Sequence, residues 1–201
     1  MKKIVVATKN PGKIREMMHA FEGLAVELVP LSAFGDMPDA PENGATFSDN
    51  AHSKAAFYMR RTHTACLADD SGLEVDALDG APGVYSARFA GGHADDAANN
   101  KKLLTELAKA GVTVSRAAYR CVLTLVDTNG NTLMAVGSCP GEVRSEPRGA
   151  GGFGYDPYFY IDAHRTMAEL SLAEKDQVSH RGQALREMAE KLAIYLKRSL
   201  K

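Results

Sequence analysis

The feature that most constrains this chain is a short apolar run that ends in two adjacent carboxylates. Residues 65–68 are Ala-Cys-Leu-Ala, and Asp69, Asp70, Ser71 and Gly72 follow directly. The apolar run predicts a buried strand, but carboxylates cannot follow it into the interior without a cation or hydrogen-bond donors. We therefore expect Asp69 and Asp70 at the end of a strand, where they bind a divalent cation, polarise a water molecule or act as a cap.

The composition is that of a globular protein with a substantial core. The 201 residues are 45% hydrophobic and 24% charged, which predicts one domain, or one domain with two lobes, over residues 1–201. The net charge of -1 argues against a dedicated duplex nucleic-acid binder, because such a protein normally carries a basic excess. A small anionic ligand needs only a local basic cluster, so that class of ligand stays open.

The cysteines and the apolar runs indicate where the protein works. Cys66, Cys121 and Cys139 show no spacing typical of a zinc site, and the first two lie in apolar runs as expected for core thiols. The N-terminal apolar run is too short for a signal peptide, and no run approaches the length that spans a bilayer. These features predict a cytoplasmic protein that does not interact with membranes.

The N-terminal part of the chain predicts a strand, a turn and a helix in succession. Residues 3–8 are rich in β-branched side chains, and residues 9–13 contain proline and glycine. An apolar stripe at helical spacing follows at Ile14, Met17, Met18 and Phe21. This order directs backbone N–H groups and the positive end of a helix dipole towards an anion.

Thr8, Asn10 and Lys13 in this turn are candidate phosphate ligands. The turn has neither a Walker loop nor a G-x-G-x-x-G pattern, so a second interpretation stays open. In that interpretation Thr8 is a cap, Asn10 is a turn residue and Lys13 is solvated.

The next segment predicts a second strand, a loop and a helix. The strand covers residues 26–31, and the loop over residues 30–44 contains Pro, Gly and the acid Glu42. Thr46 is a candidate helix cap, with Asp49 as an acidic version of the capping box. The buried stripe of the helix is Phe47, Ala51, Ala55 and Tyr58.

Asn50 and Lys54 lie four residues apart on another face of this helix. Lys54 stands among apolar residues, so it is either a surface lysine whose stem lies along apolar neighbours or a residue of a site.

Beyond the acids, residues 73–78 predict a second short strand, and residues 79–88 predict a long glycine-containing loop. Asp95 and Asp96 begin a helix that ends at Gly111. The core-facing residues of this helix are Leu103, Leu104 and Leu107.

Residues 117–127 and 132–142 flank Asn129 and Gly130, the strongest hairpin signal in the chain. We interpret this hairpin as structural and assign no chemistry to it.

A glycine-rich loop over residues 147–157 contains Phe153, Tyr155 and Asp156. Glycines with interspersed aromatic residues suit a loop that lies close against a flat ligand. The alternative, a mobile surface loop, explains the glycines but not the aromatic residues.

The C-terminal part predicts helices and a small basic cluster. Thr166 caps a short helix, a second helical segment begins at Leu172, and residues 179–182 interrupt the pattern before the last helix. The apolar positions of that last helix are Leu185, Met188, Leu192 and Tyr195. The positive donors of the cluster are Lys175, His180 and Arg181, which are either ligand contacts or a solvated helix end.

Together these features describe a magnesium-dependent enzyme that acts on a nucleotide, with acids for Mg²⁺ and water, lysines for phosphates and an aromatic ring for the base. Several motifs of this chain occur together, and in the same order, in one known family. They are residues 7–16 (Ala-Thr-x-Asn-x-Gly-Lys-x-x-Glu), 44–51 (Gly-x-Thr-Phe-x-x-Asn-Ala) with Lys54, 68–75 (Ala-Asp-Asp-Ser-Gly-Leu-x-Val), 80–88, 151–157 (Gly-Gly-Phe-Gly-Tyr-Asp-Pro), 174–175 and 179–182 (Ser-His-Arg-Gly). Through these motifs the chain resembles the RdgB-type inosine/xanthosine triphosphate pyrophosphatases.

The resemblance implies a fold and an activity. The fold is α/β, with a long mixed central sheet flanked by helices and two lobes with the active-site cleft between them. The activity is Mg²⁺-dependent hydrolysis of ITP, dITP and XTP to the monophosphate and pyrophosphate, which keeps these nucleotides out of DNA and RNA. A homodimer is implied as well, while the expectation of no nucleic-acid partner comes from the net charge of -1.

The resemblance also implies roles for individual residues. Asp70 activates water beside Asp69, and Asp70 and Glu42 are the metal ligands. Phosphate and other substrate contacts come from Thr8, Lys9, Asn10, Pro11, Gly12, Lys13, Lys54, Ser71 and Lys175. Phe153 stacks on the purine, and the remaining base contacts are Gly154, Tyr155, Asp156, His180 and Arg181.

Two other functions stay open. A nucleotide-binding sensor would bind triphosphates without metal-dependent turnover, although the two adjacent acids argue against it. A pyrophosphatase of the related Maf-type fold would prefer modified pyrimidine nucleotides to ITP.

Overall fold

The structure is a computed structural model that describes residues 1–91 and 95–198. Its strands are β1 (Lys2–Val6), β2 (Val26–Pro30), β3 (Ala65–Val75), β4 (Val114–Val126), β5 (Thr132–Arg144) and β6 (Phe159–Tyr160). Its α-helices are α1 (Pro11–Ala20), α2 (Phe47–Thr62), α3 (Asp96–Lys109), α4 (Leu172–Val178) and α5 (His180–Arg198). No helix in these two ranges is long and apolar enough to cross a membrane.

The strands form a six-stranded sheet in the order β2-β1-β3-β4-β5-β6. The sheet is mixed, because β1 pairs in parallel with β2 and β3 whereas β5 pairs antiparallel with β6. The predicted α/β class with a mixed central sheet is therefore confirmed. The prediction of a cleft between two lobes stays a prediction.

The chain divides into two compact units. The first contains Met1–Asp70, Cys121–Gly137 and α5 from Arg181 onward, and the second contains Ser71–Arg120 and Ser138–His180. Buried apolar side chains of the first unit include Ile4, Val6, Met17, Leu67, Leu123, Leu185 and Met188. Those of the second unit include Leu73, Val75, Leu103, Leu107, Tyr119, Val143 and Phe159.

Local signals predicted several elements well. Thr46 caps α2 by accepting a hydrogen bond from the Asp49 N–H, and Asp95 caps α3 by accepting one from Ala98. The hairpin signal at Asn129 corresponds to the tight connection between β4 and β5. These elements form where their own residues supply the cap or the turn.

Three sequence predictions were wrong. Asp69 and Asp70 do not end a strand, because β3 continues through them to Val75 and a single turn of 3-10 helix follows at Asp76–Leu78. Met18, which was predicted on the apolar stripe of α1, is 58% exposed and does not share the burial of Met17. The last helix begins at His180, so the interruption before it is confined to Ser179.

Candidate active site

The two adjacent acids of β3 have different surroundings. Successive side chains of a strand point to opposite faces of the sheet, so Asp69 and Asp70 diverge although they are neighbours in sequence. Both are buried. Their direct hydrogen-bond partners differ, although the charges of Lys13 and Lys54 act on both carboxylates.

Asp69 is held between two cations of the first unit. Lys13 Nζ lies 2.9 Å from Asp69 Oδ2, and Arg181 Nε donates to the same oxygen at 3.3 Å. Arg181 Nη1 also donates to Glu16 at 2.8 Å. Burial alone would raise the pKa of Asp69, but the charges of Lys13 and Arg181 hold that pKa well below its usual range. Asp69 therefore stays ionised and fixes the positions of Lys13 and Arg181.

Asp70 has weaker compensation. Its Oδ2 accepts a hydrogen bond of 3.0 Å from Asn50 Nδ2. Burial, together with the charge of Glu42, raises the pKa of Asp70 to about 6, against the lowering effects of Lys54 and Asn50. A carboxylate with a pKa close to the working pH suits proton abstraction from water. Asp70 is therefore the candidate general base.

Lys54 links Glu42, in the loop before α2, to strand β3. Its Nζ forms an ion pair with Glu42 and donates to the backbone oxygen of Asp69 at 3.3 Å. Only 15% of the Lys54 side chain is exposed, so this lysine is not a solvated surface residue. Glu42, Lys54 and Asp70 thus belong to one electrostatic cluster.

The loop that carries Glu42 is fastened at both sides. The hydroxyl of Tyr58 donates to the Pro38 oxygen at 3.1 Å and accepts from the Ala40 N–H at 3.2 Å. The Gly44 N–H donates to Asn50 Oδ1 at 2.8 Å. These hydrogen bonds attach the loop to α2 on both sides of Glu42 and so fix the position of this acid.

The turn before α1 is organised by Asn10. Its Oδ1 accepts from the N–H groups of Gly12 (2.8 Å) and Lys13 (3.2 Å), while Thr8 Oγ1 accepts from the Asn10 N–H. Two of the donors that would face an anion are therefore already bonded. Lys13 is not solvated, since 18% of its side chain is exposed and it pairs with Asp69. Lys9 forms an exposed ion pair of 2.8 Å with Asp39.

The carboxylates of the first unit fit a magnesium ion that keeps several waters. Within residues 1–91 and 95–198, no group of three or more His, Cys, Asp or Glu side chains could hold a metal. Mg²⁺ usually uses one or two carboxylates together with substrate phosphates and water. Asp70 and Glu42, whose charges repel each other, match that requirement.

A second cluster, in the second unit, is organised around the buried Asp156. Its Oδ2 accepts from Lys175 Nζ at 2.6 Å and from the Phe153 N–H at 3.0 Å, and its Oδ1 accepts from the Tyr119 hydroxyl at 3.2 Å. Lys175 Nζ also lies 5.3 Å from the centre of the Phe153 ring. The loop that carries Phe153 is thus held by a buried ion pair.

Gly152 permits this close packing. A Cβ at this position would lie 2.1 Å from Asp156 Oδ2 and 2.9 Å from Lys175 Nζ, and the backbone φ is +75°. Only glycine satisfies both conditions.

The remaining residues of this loop bond to other parts of the second unit. Tyr155 donates to the Ser86 oxygen at 2.7 Å, and burial raises its pKa. The Gly154 N–H donates to Asp96 at 2.7 Å, and its oxygen accepts from Asn100 at 2.9 Å. The loop is therefore fixed at successive positions.

His180, the first residue of α5, stacks on Tyr119. Their ring centres are 4.6 Å apart and the ring planes differ by 13°. His180 is buried.

Ser71, which follows Asp70 in β3, is partly buried.

The predicted site residues thus form two groups. The first unit contains Thr8, Lys9, Asn10, Pro11, Gly12, Lys13, Glu42, Lys54, Asp69, Asp70 and Arg181. The second contains Ser71, Phe153, Gly154, Tyr155, Asp156, Lys175 and His180. Lys175, predicted to contact phosphate, lies with the residues predicted to contact the base, and its phosphate role stays a prediction.

Known proteins resemble this chain over nearly its full length. A sequence model of the Ham1 family matches residues 4–191. The chain belongs to the Ham1 family. The dITP/XTP pyrophosphatase of Geobacter sulfurreducens is 48% identical over 186 residues, which are 92% of this chain and 94% of that protein. The corresponding protein of Syntrophobacter fumaroxidans is 49% identical over 195 residues, 96% of this chain and 83% of that protein.

Solved Ham1 structures have the same fold. The HAM1 protein of Coxiella burnetii is 42% identical with a TM-score of 0.87, and the comparison covers 96% of this chain and 98% of that one. The nucleoside-triphosphatase / dITP/XTP pyrophosphatase of Mycobacterium abscessus is 44% identical with a TM-score of 0.73, over 92% and 97% of the two chains. The predicted family and fold class are both confirmed.

Three further residues contact the predicted site residues but had no predicted function. Glu16 lies one helical turn after Lys13, and Asn50 lies one turn before Lys54, so helical spacing could have indicated both. Tyr119 lies on the β4 strand of the hairpin that was interpreted as structural. No pattern near Tyr119 indicates its contacts with His180 and Asp156.

Proposed function

We propose that this protein hydrolyses ITP, dITP and XTP to the nucleoside monophosphate and pyrophosphate, with Mg²⁺ as cofactor. The observation that carries the proposal is similarity to dITP/XTP pyrophosphatases at 48% and 49% identity over more than nine-tenths of this chain. The protein is on this basis a nucleoside triphosphate pyrophosphatase. Removal of deaminated purine nucleotides from the precursor pool would prevent their incorporation into DNA and RNA.

The cluster around Asp69 and Asp70 suits the hydrolytic step. Asp70 takes a proton from a water molecule that attacks the α-phosphorus. The bond between the α-phosphorus and the oxygen that bridges to the β-phosphorus breaks, and pyrophosphate leaves with that oxygen. Lys13 and Lys54 stabilise the negative charge that develops on the departing pyrophosphate. Asp69 keeps Lys13 in place through their ion pair.

Asp70 and Glu42 would hold Mg²⁺, with water and phosphate oxygens as the remaining ligands. Mg²⁺ would supply charge neutralisation at the phosphates and lower the pKa of a bound water. Lys54 already opposes the charge of Glu42, so it helps to hold this acid near Asp70.

The turn around Asn10 suits the remaining phosphate contacts. Thr8, Lys9 and Lys13 carry side chains with hydrogen-bond donors. Pro11 and Gly12 form the start of α1, where the Asn10 side chain caps the helix by accepting from the Gly12 and Lys13 N–H groups.

The cluster around Asp156 suits recognition of the base. Phe153 offers a ring for stacking, and a histidine or arginine N–H can donate to the 6-oxo group of hypoxanthine or xanthine. Adenine carries an amino group at that position, so the same donor would be left unpaired. His180 and Arg181 are the proposed donors, with Tyr155, Gly154 and Asp156 shaping the loop and Ser71 contacting the substrate.

We also infer a cytoplasmic homodimer without a nucleic-acid partner. Support comes from the family resemblance and from the absence of a basic excess, given the net charge of -1. Sedimentation equilibrium at micromolar concentration should give twice the mass of one chain.

The test of the proposed function is pyrophosphate release from ITP, XTP, GTP, ATP and dUTP, with and without Mg²⁺. We expect rapid release from ITP and XTP only with Mg²⁺, and slow release from GTP and ATP. Preference for dUTP would favour a pyrimidine-directed enzyme instead. Tight binding of ITP without any product would favour a sensor.

A further inference from the structure

The hairpin strand β4 contributes one side chain to the cluster around Asp156. We propose that Tyr119 is a positioning residue that sets the preference of the enzyme for 6-oxopurines. The inference rests on the proposed function, because it assumes that His180 and Phe153 contact the base.

Tyr119 contacts both parts of the proposed base site. Its ring stacks on His180 at 4.6 Å, and its hydroxyl donates to Asp156 at 3.2 Å. Its ring also packs against Phe159, at 4.5 Å between centres. Tyr119 is therefore held by the core of the second unit and joins the start of α5 to the loop that carries Phe153.

The stack with Tyr119 fixes the plane of the His180 ring. A hydrogen bond to a 6-oxo group requires a donor in a defined direction, since hydrogen bonds weaken steeply away from linearity. A histidine ring that turns freely could present either nitrogen, one as a donor and the other as an acceptor. A His180 ring of fixed orientation favours a base with a 6-oxo group over one with a 6-amino group, and the enzyme would discriminate between the two purines in this way.

The hydroxyl of Tyr119 fixes Asp156 in a complementary way. Asp156 accepts from Tyr119, Lys175 and the Phe153 N–H, so its orientation determines where the Phe153 backbone lies. Loss of one donor would leave the ion pair with Lys175 intact but less constrained. Tyr119 thereby places the stacking ring and the hydrogen-bonding ring relative to each other.

The experiment compares the affinities of inosine and adenosine 5′-monophosphate by calorimetry. Tyr119→Phe keeps the ring and loses the hydroxyl, whereas Tyr119→Leu loses both. We expect the preference for inosine monophosphate to fall about threefold in the first variant and about tenfold in the second, from the usual size of a single hydrogen bond and an aromatic pair.

A matched control removes a hydroxyl elsewhere in the same unit. Tyr160 is a buried tyrosine whose hydroxyl donates to the Glu146 oxygen at 2.9 Å. Tyr160→Phe should leave the preference unchanged. An equal loss of affinity for both nucleotides in the Tyr119 variants would mean a purely structural role and would overturn the inference.

A second readout needs no nucleotide. The stacked tyrosine should shift the ring proton resonances of His180 upfield, and Tyr119→Leu should abolish that shift while Tyr119→Phe keeps it. Unchanged resonances in Tyr119→Leu, an unchanged preference in that variant, or no preference in the wild-type protein would each overturn the inference. A Tyr119-dependent preference without pyrophosphate release from ITP would overturn the proposed function alone.

Discussion

At the scale of single residues, the electrostatic surroundings of Asp69 and Asp70 assign them opposite contributions to stability. Asp69 faces Lys13 and Arg181, so its negative charge stabilises the folded state. Asp70 is buried with a pKa raised to about 6, so its negative charge opposes folding. The residue that is costly to keep ionised is the one proposed to accept the proton.

The stability of two asparagine variants without divalent cations should reveal this difference. Asp69→Asn leaves Arg181 and Lys13 without a buried counter-charge and should lower the free energy of unfolding by about 3–5 kcal/mol. Asp70→Asn should raise it at pH about 8, by up to about 3 kcal/mol for a pKa shift of this size.

The pH dependence gives the sign of the Asp70 effect. The folded pKa, about 6, lies above the ordinary value of 3.8, so ionisation destabilises the folded state as pH rises between these values. The advantage of Asp70→Asn should therefore disappear as the pH falls from about 6 to about 4. Urea unfolding of both proteins at pH about 8 and at pH about 4 measures this change. A difference in unfolding free energy that does not vary with pH would contradict the raised pKa of Asp70.

The sequence indicated these two acids but not their different surroundings. Lys13 and Arg181 lie 56 and 112 positions from Asp69 along the chain, so the cations that keep it ionised are invisible to local patterns. For the same reason β3 was predicted to end at the acids. A strand can continue through a buried carboxylate when distant helices supply the counter-charges.

At the scale of elements, α2 acts as the support of the loop that carries Glu42. Tyr58 on α2 bonds to Pro38 and Ala40, and Asn50 on the same helix bonds to Gly44. The sequence predicted the helix and its cap, because Thr46 and its neighbours supply both locally. It predicted the loop from its Pro and Gly residues but not what holds the loop in place, since the residues that fasten it belong to another element.

Removal of one fastening should weaken metal binding. Tyr58→Phe keeps the ring but loses both hydrogen bonds to residues 38–40. We expect the Mg²⁺ concentration for half-maximal pyrophosphate release to rise about threefold to tenfold, in line with the energy of one or two hydrogen bonds. Amide hydrogen exchange over residues 38–44, measured without metal, should accelerate in the same variant.

The matched control for this loop is Asp39→Asn. The ion pair of Asp39 with Lys9 also involves the loop, but both side chains are more than half exposed, and such pairs contribute little to stability. Slower or unchanged exchange in Tyr58→Phe, or an equal effect of Asp39→Asn, would contradict the support of this loop by α2.

At the scale of the whole molecule, both units are assembled from separated stretches of chain. The first contains three segments and the second contains two. The order of motifs along the sequence was enough to identify the family and its fold. It could not show which motifs share a cluster, and it missed Tyr119, because the contacts between segments carry that information.

The increase in stability that bound ITP gives to the whole protein measures binding independently of turnover. Asp70→Asn should lose the general base and turn over ITP at least about 10²-fold more slowly, from the usual size of general-base catalysis. It keeps Lys13, Lys54 and the residues around Asp156, so it should still bind ITP. Because this variant turns over ITP so slowly, it can be heated while most of the substrate is still intact.

ITP at 100 times its dissociation constant should stabilise Asp70→Asn by about 2.7 kcal/mol. For a chain of this size, that corresponds to a rise in Tm of roughly 5–10 °C. ATP at the same concentration should give a smaller shift, because the donors proposed for the 6-oxo group would meet an amino group. Equal shifts with ITP and ATP would place the selectivity of the enzyme in the chemical step, since binding would then not distinguish the two bases.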